Sequence, residues 1–140
     1  MDMDCEFCRI VAGDERAHVL YENDETIAIL DENPAVTGHS LVLPRSHDDD
    51  VLTSTDSTTT DVFRTARLVA TGLEEALGPV GFSVFHTTGS LVGTVDHAHV
   101  HLLPRFEDDD VSLSLGRETL PDREGTELAS KIRTALEEQS

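Results

Sequence analysis

Three histidines stand at every second position, His97, His99 and His101, inside the run from Val95 to Arg105. On a β-strand, residues i, i+2 and i+4 face one side, with about 6.6 Å between successive members. The spacing predicts a strand over Ala98–Leu103 that carries the three imidazoles on one face. Ala98, Val100 and Leu102 then pack the other. Three imidazoles in a row are poor core filler, because each needs a polar partner when buried. A chemical use is expected of them.

The remaining elements follow from periodicity and punctuation. Residues 5–12 predict a short helix ended by Gly13. Ala17–Tyr21 and Thr26–Asp31 predict strands around the turn Glu22–Glu25, and Ser40–Leu43 a third strand stopped by Pro44. Val62, Ala66, Val69, Leu73 and Ala76 recur at spacings of three and four, which predicts a helix between about Asp56 and Leu77. Ser, Thr and Asp can cap its start, and Gly78-Pro79 ends it. Phe82–Thr87 predicts a further strand, and Asp122–Glu138 a helix with Leu128, Ile132 and Leu136 on one side. Hairpin-like strands on either side of a long helix predict an α+β fold: a curved, mainly antiparallel sheet, one long central helix and a C-terminal helix. At 140 residues the expectation is a single domain over 1–140, its motifs within about 5–106 and its last helix at about 122–138. The acidic runs Asp48–Asp50 and Glu107–Asp110 read as solvated loops.

Charge narrows the partners. Ten Lys and Arg stand against 28 Asp and Glu, a formal net charge of −18, and Lys131 is the one lysine. No basic face exists to release counterions, so nucleic acid and anionic membranes are not expected partners. A folded, acidic, lysine-poor chain suits a salty interior, where the Debye length falls to about 3 Å near 1 M and self-repulsion is screened. A halophilic source is therefore expected. The start, Met1-Asp-Met-Asp-Cys-Glu, is acidic where a signal peptide is basic and then apolar, and the expected location is cytoplasmic.

Two chemistries suit the histidines. They could bind a metal, imidazole being the commonest zinc ligand. They could instead serve phosphate chemistry, one imidazole attacking and its neighbours orienting and donating. Cys5-Glu-Phe-Cys8 offers two thiolates, and a closed tetrahedral site needs two further ligands. A thioredoxin-type redox pair needs a preceding strand, which the four residues before Cys5 are not expected to form.

At this point the chain resembles the histidine triad family of nucleotide hydrolases and transferases. The resemblance rests on His97-x-His99-x-His101-Leu-Leu, Cys5-x-x-Cys8-x-Ile-x-x-Gly13, Ile29-Leu-Asp31-x-x-Pro34 and Gly38-His39-x-Leu-Val-x-Pro-Arg-x-His47, in order. It implies that His99 attacks the α-phosphorus of a nucleotide, such as a nucleoside phosphoramidate or dinucleoside polyphosphate, and carries it as a covalent intermediate. By the same likeness His101 bonds the phosphate oxygens, His39 orients the nucleophile or binds phosphate, and Asp31 holds the ribose. Phe7, Ile10 and Ile29 line the base site, although Phe7 and Ile10 suit plain core packing equally well. The zinc-containing branch of the family implies a structural zinc on Cys5, Cys8, His47 and His97. A homodimer is likewise implied.

The chain departs from the family pattern before the triad. Ser83 and Thr87-Thr88-Gly89 stand where asparagines are usual, and the turn over 89–95 is a residue shorter, with Thr94 at the leaving-group contact. Thr87 and Thr94 therefore enter as candidate substrate contacts. His18 and His86 match no motif and are assigned to the scaffold. Two rivals stay open: a nucleotide-binding regulatory module with little turnover, and a metallohydrolase using the triad as a zinc site.

Overall fold

A computed structural model of the protein describes residues 5–88 and 97–139. Five strands, β1 (Val19–Glu22), β2 (Thr26–Leu30), β3 (Ser40–Pro44), β4 (Gly81–Phe85) and β5 (Val100–Arg105), form one sheet in the order β1-β2-β3-β5-β4. Every neighbouring pair is antiparallel. Three helices accompany it: α1 (Glu6–Ala12), α2 (Asp56–Leu77) and α3 (Asp122–Gln139). The architecture is the expected α+β one.

Side-chain alternation divides the sheet into two packed faces. Ala28 of β2, Val42 of β3 and Ala98, Val100 and Leu102 of the triad segment meet Val62, Ala66, Val69 and Leu73 of α2. Ile27, Ile29, Leu41 and Leu43 point the other way, against Cys5, Phe7, Cys8 and Ile10 around α1. Removing a side chain such as Leu73 leaves a cavity that costs about 2–5 kcal/mol. The expected face of α2 is thus the buried one, except that Ala76 is exposed while Thr65 is buried, its hydroxyl 2.7 Å from that of Thr26. Thr55 caps the start of α2 by accepting from the amide of Thr58 at 3.2 Å, and Gly78 ends it in the left-handed region.

Several boundaries move. β1 begins two residues later than expected, at Val19, and its register against β2 shifts between Val19 and Tyr21. β2 ends at Leu30, one residue before Asp31. β4 runs over Gly81–Phe85 instead of Phe82–Thr87, and β5 starts at Val100 instead of Ala98. The reason at β5 is that its pairing to β3 stops at Val42↔Val100. Upstream, the amide of Ala98 donates to the carbonyl of Asp48 at 2.6 Å, outside any ladder.

The acidic runs are not solvated throughout. Asp109 is half-buried, its side chain only 6% exposed, and it receives Arg105 through Nε at 2.8 Å and Nη2 at 3.0 Å. That guanidinium, with the amide of Phe106, holds the Asp109 carboxyl well below the usual range. The expected apolar stripe of α3 is present, but Leu128, Ile132 and Leu136 are exposed and no residue of α3 is buried. Among the described residues no helix is long and apolar enough to cross a membrane.

Candidate active site

The face of β2, β3 and β5 turned toward α1 borders a cleft of about 540 Å³. Phe7 and Ile10 of α1 form one wall, Ile29 and Leu41 of the sheet lie beneath, and His99 and His101 stand on the side of β5. Asp31 and Thr87 complete the candidate residues that reach it. Phe7 and Ile10 are both buried core residues and cleft residues, so the two readings of them coincide. Thr94 and the turn over 89–95 lie outside the described residues.

His39 takes a different place. It is buried, and its Nε2 lies 2.9 Å from Nδ1 of His101 and 3.4 Å from Oδ2 of Asp31. The amide of Ala35 donates to its Nδ1 at 3.0 Å. The loop that carries it is closed by a bond from the amide of Asp31 to the carbonyl of His39 at 3.0 Å. Gly38 precedes it at φ +88°, where an added Cβ would meet Leu77 Cδ1 at 2.7 Å, so only glycine suits both the conformation and the space.

Hydrogen-bond partners assign the imidazole tautomers. A backbone N–H can only donate, so His39 accepts at Nδ1 and carries its proton on Nε2. That proton is given to Nδ1 of His101, whose own N–H is then on Nε2. For His99 the order reverses: Nδ1 lies 2.9 Å from the carbonyl of His97 and must donate to it, leaving the Nε2 lone pair unprotonated. The two cleft histidines are opposite tautomers. One offers a lone pair and the other an N–H.

Burial disfavours the charged form of these rings. It lowers the pKa of His99, a shift partly opposed by the bond to the His97 carbonyl. It lowers His101 to about 4, helped by the neighbouring His99 and His39. His39 is lowered by burial against the opposing charge of Asp31. Phe85 stacks on His101 with centroids 4.3 Å apart, and Phe7 meets His99 edge-on at 5.1 Å.

Cys5, Cys8, His47 and His97 converge, their donor atoms all within 4.8 Å of one another. Nδ1 of His97 lies 3.5 Å from both sulfurs, and Nδ1 of His47 lies 3.1 Å from Cys8 Sγ. A tetrahedral S₂N₂ site with Zn–S near 2.3 Å and Zn–N near 2.0 Å has S···N edges of about 3.5 Å. Nε2 of His97 donates to the carbonyl of Pro44 at 2.8 Å, which leaves Nδ1 as a lone pair facing the thiols. Donor set and spacing both fit a closed zinc site. Asp31, His39 and His101 also lie within 4.8 Å, at distances their own hydrogen bonds account for.

Two histidines set aside on sequence grounds belong to the site. His18 lines the cleft mouth with Arg16 and Glu32. His86 is not background either: Nδ1 lies 3.0 Å from the carbonyl of His99, and Nε2 lies 2.9 Å from Oδ1 of Asp50. Asp50 is accordingly no solvated acid. Bonds from His86, Thr53 and the amide of Leu52 lower its pKa to about 2. Neither residue carries a spacing signal, because both act through contacts distant in the chain.

The HIT domain model matches residues 12–108. An adenylylsulfatase of Arabidopsis thaliana is 34% identical over 137 residues, covering 95% of this chain and 70% of its own. An adenosine 5′-monophosphoramidase of Schizosaccharomyces pombe is 30% identical over 138 residues, covering 94% of this chain and 100% of its own. A crystal structure from Streptococcus mutans superposes with a TM-score of 0.91 at 31% identity, covering 97% of this chain and 87% of that one. A zinc-bound histidine triad family protein from Mycobacterium smegmatis superposes at 0.73 with 31% identity, covering 95% and 98%.

Proposed function

The chain belongs to the HIT domain family, and from that membership and the opposed tautomers of His99 and His101 we propose that it hydrolyses or transfers nucleotides at the α-phosphate. The single observation that carries the reading is the His99 Nδ1–H bond to the His97 carbonyl, which leaves Nε2 as the attacking atom. Nε2 forms a bond to phosphorus while the leaving group departs with the electron pair of its own P–O or P–N bond, a departing nitrogen taking a proton from solvent that the attacking water returns in the second step. The adduct is a cationic N-phosphoryl imidazole whose Nδ1–H remains on the His97 carbonyl. Water then attacks phosphorus, the P–N bond breaks, and Nε2 recovers its lone pair.

His101 gives the phosphoryl oxygens a neutral N–H donor. His39 acts from behind, fixing that tautomer without reaching the cleft wall. Asp31 accepts from the ribose hydroxyls, and Phe7, Ile10 and Ile29 hold the base, with Thr87 a further substrate contact in the cleft and Thr94 the contact to the leaving group. Backbone amides and imidazole N–H groups supply the local positive potential that a chain of net charge −18 otherwise lacks.

Cys5, Cys8, His47 and His97 would hold one structural zinc, which supplies a closed cross-link and no open coordination position. The likeness to a zinc-bound histidine triad protein supports this. The reading takes residues 1–140 as one domain, cytoplasmic and from a salt-rich interior. It pairs two chains, for which the edge strand β4 with exposed Val84 and Phe85 offers a surface.

The test is turnover of adenosine phosphoramidate, diadenosine polyphosphates and adenylyl sulfate, with acid-quenched protein analysed for an adenylylated histidine. An adduct on His99 supports the proposal. Binding without turnover or adduct would leave a regulatory module, and loss of activity on removing a second metal would favour a metallohydrolase.

A further inference from the structure

We propose that His86, held by Asp50, is a positioning residue for the nucleophile, clamping the carbonyl of His99 from the face of the sheet opposite the cleft. The inference rests on His99 as the attacking group and adds a device that His99 itself does not contain.

His99 stands where the sheet no longer supports it. The last strand pairs are Val42↔Val100 on one side and Phe85↔His101 on the other. Among the described residues no strand pairing reaches the His99 carbonyl, and a carbonyl without a ladder bond needs another partner. Nδ1 of His86 is that partner at 3.0 Å, and since a carbonyl only accepts, that nitrogen carries the proton.

The ring reaches this carbonyl from behind. Phe85 stacks on His101 on the cleft side, and strand alternation turns the next residue to the other face. There Nε2 of His86 lies 3.3 Å from the amide of Val51, a fully buried residue in the core under α2. His86 therefore does not touch a nucleotide in the cleft. Its action on the reaction passes through the His99 peptide.

Asp50 makes the clamp rigid. Its Oδ1 lies 2.9 Å from Nε2 of His86 and also accepts from the amide of Leu52 at 2.8 Å, while Oδ2 accepts from Thr53 Oγ1 at 2.8 Å. Ser54 and Thr59 donate to the carbonyl of Val51, tying this loop to the start of α2. With Nδ1–H given to the carbonyl, a bond from Nε2 to Asp50 needs a second ring proton, so the ring holds both partners as an imidazolium and its bond to the carbonyl is charge-assisted. A continuous path of bonds thus runs from α2 through Asp50 and His86 to the peptide of His99. That residue's ring is already fixed by the His97 carbonyl, so peptide and ring are both constrained. In-line attack needs reacting atoms about 3–3.5 Å apart, and a 1 Å misplacement can cost roughly a hundredfold in rate.

The experiment compares full-length wild type with H86A, H86N and D50N. It measures kcat and KM on a fluorogenic adenosine phosphoramidate, AMP affinity by calorimetry, and amide exchange at Ala98. The asparagine amide nitrogen can replace Nδ1 as donor to the carbonyl. H86A should lose about 10–100-fold in kcat with KM and AMP affinity within about twofold. H86N should recover most of that loss, and D50N should fall between. Exchange at Ala98 should rise about tenfold in H86A and less in H86N. A folded H86A with kcat within about threefold of wild type overturns the proposal, as does an H86N no faster than H86A or a parallel loss of AMP affinity. If H86A does not fold, D50N with wild-type kcat and wild-type exchange overturns it. Wild-type protein that forms no adduct on His99 defeats the proposed function instead, and the exchange measurement then still decides whether the clamp exists.

Discussion

Nδ1 of His99 lies 2.9 Å from the carbonyl oxygen of His97, two residues earlier on the same segment. This short local bond decides which nitrogen of the ring can attack. It also links the proposed nucleophile to His97, whose Nδ1 faces the two cysteine sulfurs. The proposed nucleophile and the candidate metal ligands are thereby joined through three consecutive residues.

Replacing His99 by alanine removes the attacking nitrogen and leaves the cleft walls in place. Turnover is expected to fall by at least about a thousandfold, with AMP affinity within about threefold of wild type. Retention of more than a few per cent of the wild-type rate in steady-state assays would move the nucleophile elsewhere.

Asp31 reaches the cleft beside His39 and His101. Asp31→Ala is expected to weaken adenosine nucleotides by about tenfold while leaving the deoxy analogue nearly unchanged, since one or two hydrogen bonds to a carboxylate are lost. Calorimetry with ribo- and deoxyribonucleotides measures this. A wild type that binds both sugars equally would refute the ribose contact.

Metal content is expected to be one zinc per chain in protein purified without chelator. Chelation, or Cys8→Ser, should lower both the melting temperature and kcat, because the cross-link holds α1 against the triad segment without touching the substrate. Elemental analysis below a few tenths of a zinc, together with an unaltered Cys8→Ser variant, would leave the cysteines as packing residues.

Acid should destabilise the fold through the neutral histidines. His101 has a native pKa of about 4, against an ordinary value of 6.5. Below 6.5 the unfolded chain takes up a proton that the native chain refuses, so stability is full above that value and declines toward pH 4. The share of this half-buried ring is on the order of 1 kcal/mol after solvent screening. His101→Gln should flatten the melting curve against pH between 7 and 5, and an unchanged slope would show that other groups carry the acid sensitivity.

Salt should act in the opposite direction. With a net charge of −18, screening is expected to raise the melting temperature between 0.1 M and 2 M KCl. A flat or falling curve would remove the reading of a salt-adapted chain.

Much of the site was legible because its signals are short. Alternation in His97-Ala98-His99-Val100-His101 sorted imidazoles from core residues, and Ala98 and Val100 do pack beneath α2. Helix α2 was readable from end to end, since its apolar spacing and caps are local. The end of β5 and the places of His18 and His86 were not. A strand stops where its partner does, and that partner, β3, lies nearly sixty residues away in the chain.

Residue types and their spacing determined the α+β class, the opposed faces of the triad segment, and a C-x-x-C pair able to share one ion. Those are properties of backbone periodicity and donor chemistry, which act within a few residues. Tertiary structure alone decided that His39 supports His101 from behind, and that His86, held by Asp50, grips the carbonyl of His99. Each such bond joins residues far apart in the chain. Its existence depends on ångström-scale positions that only the packed sheet, loop and helix impose, because a hydrogen bond fails within a fraction of an ångström or a few tens of degrees.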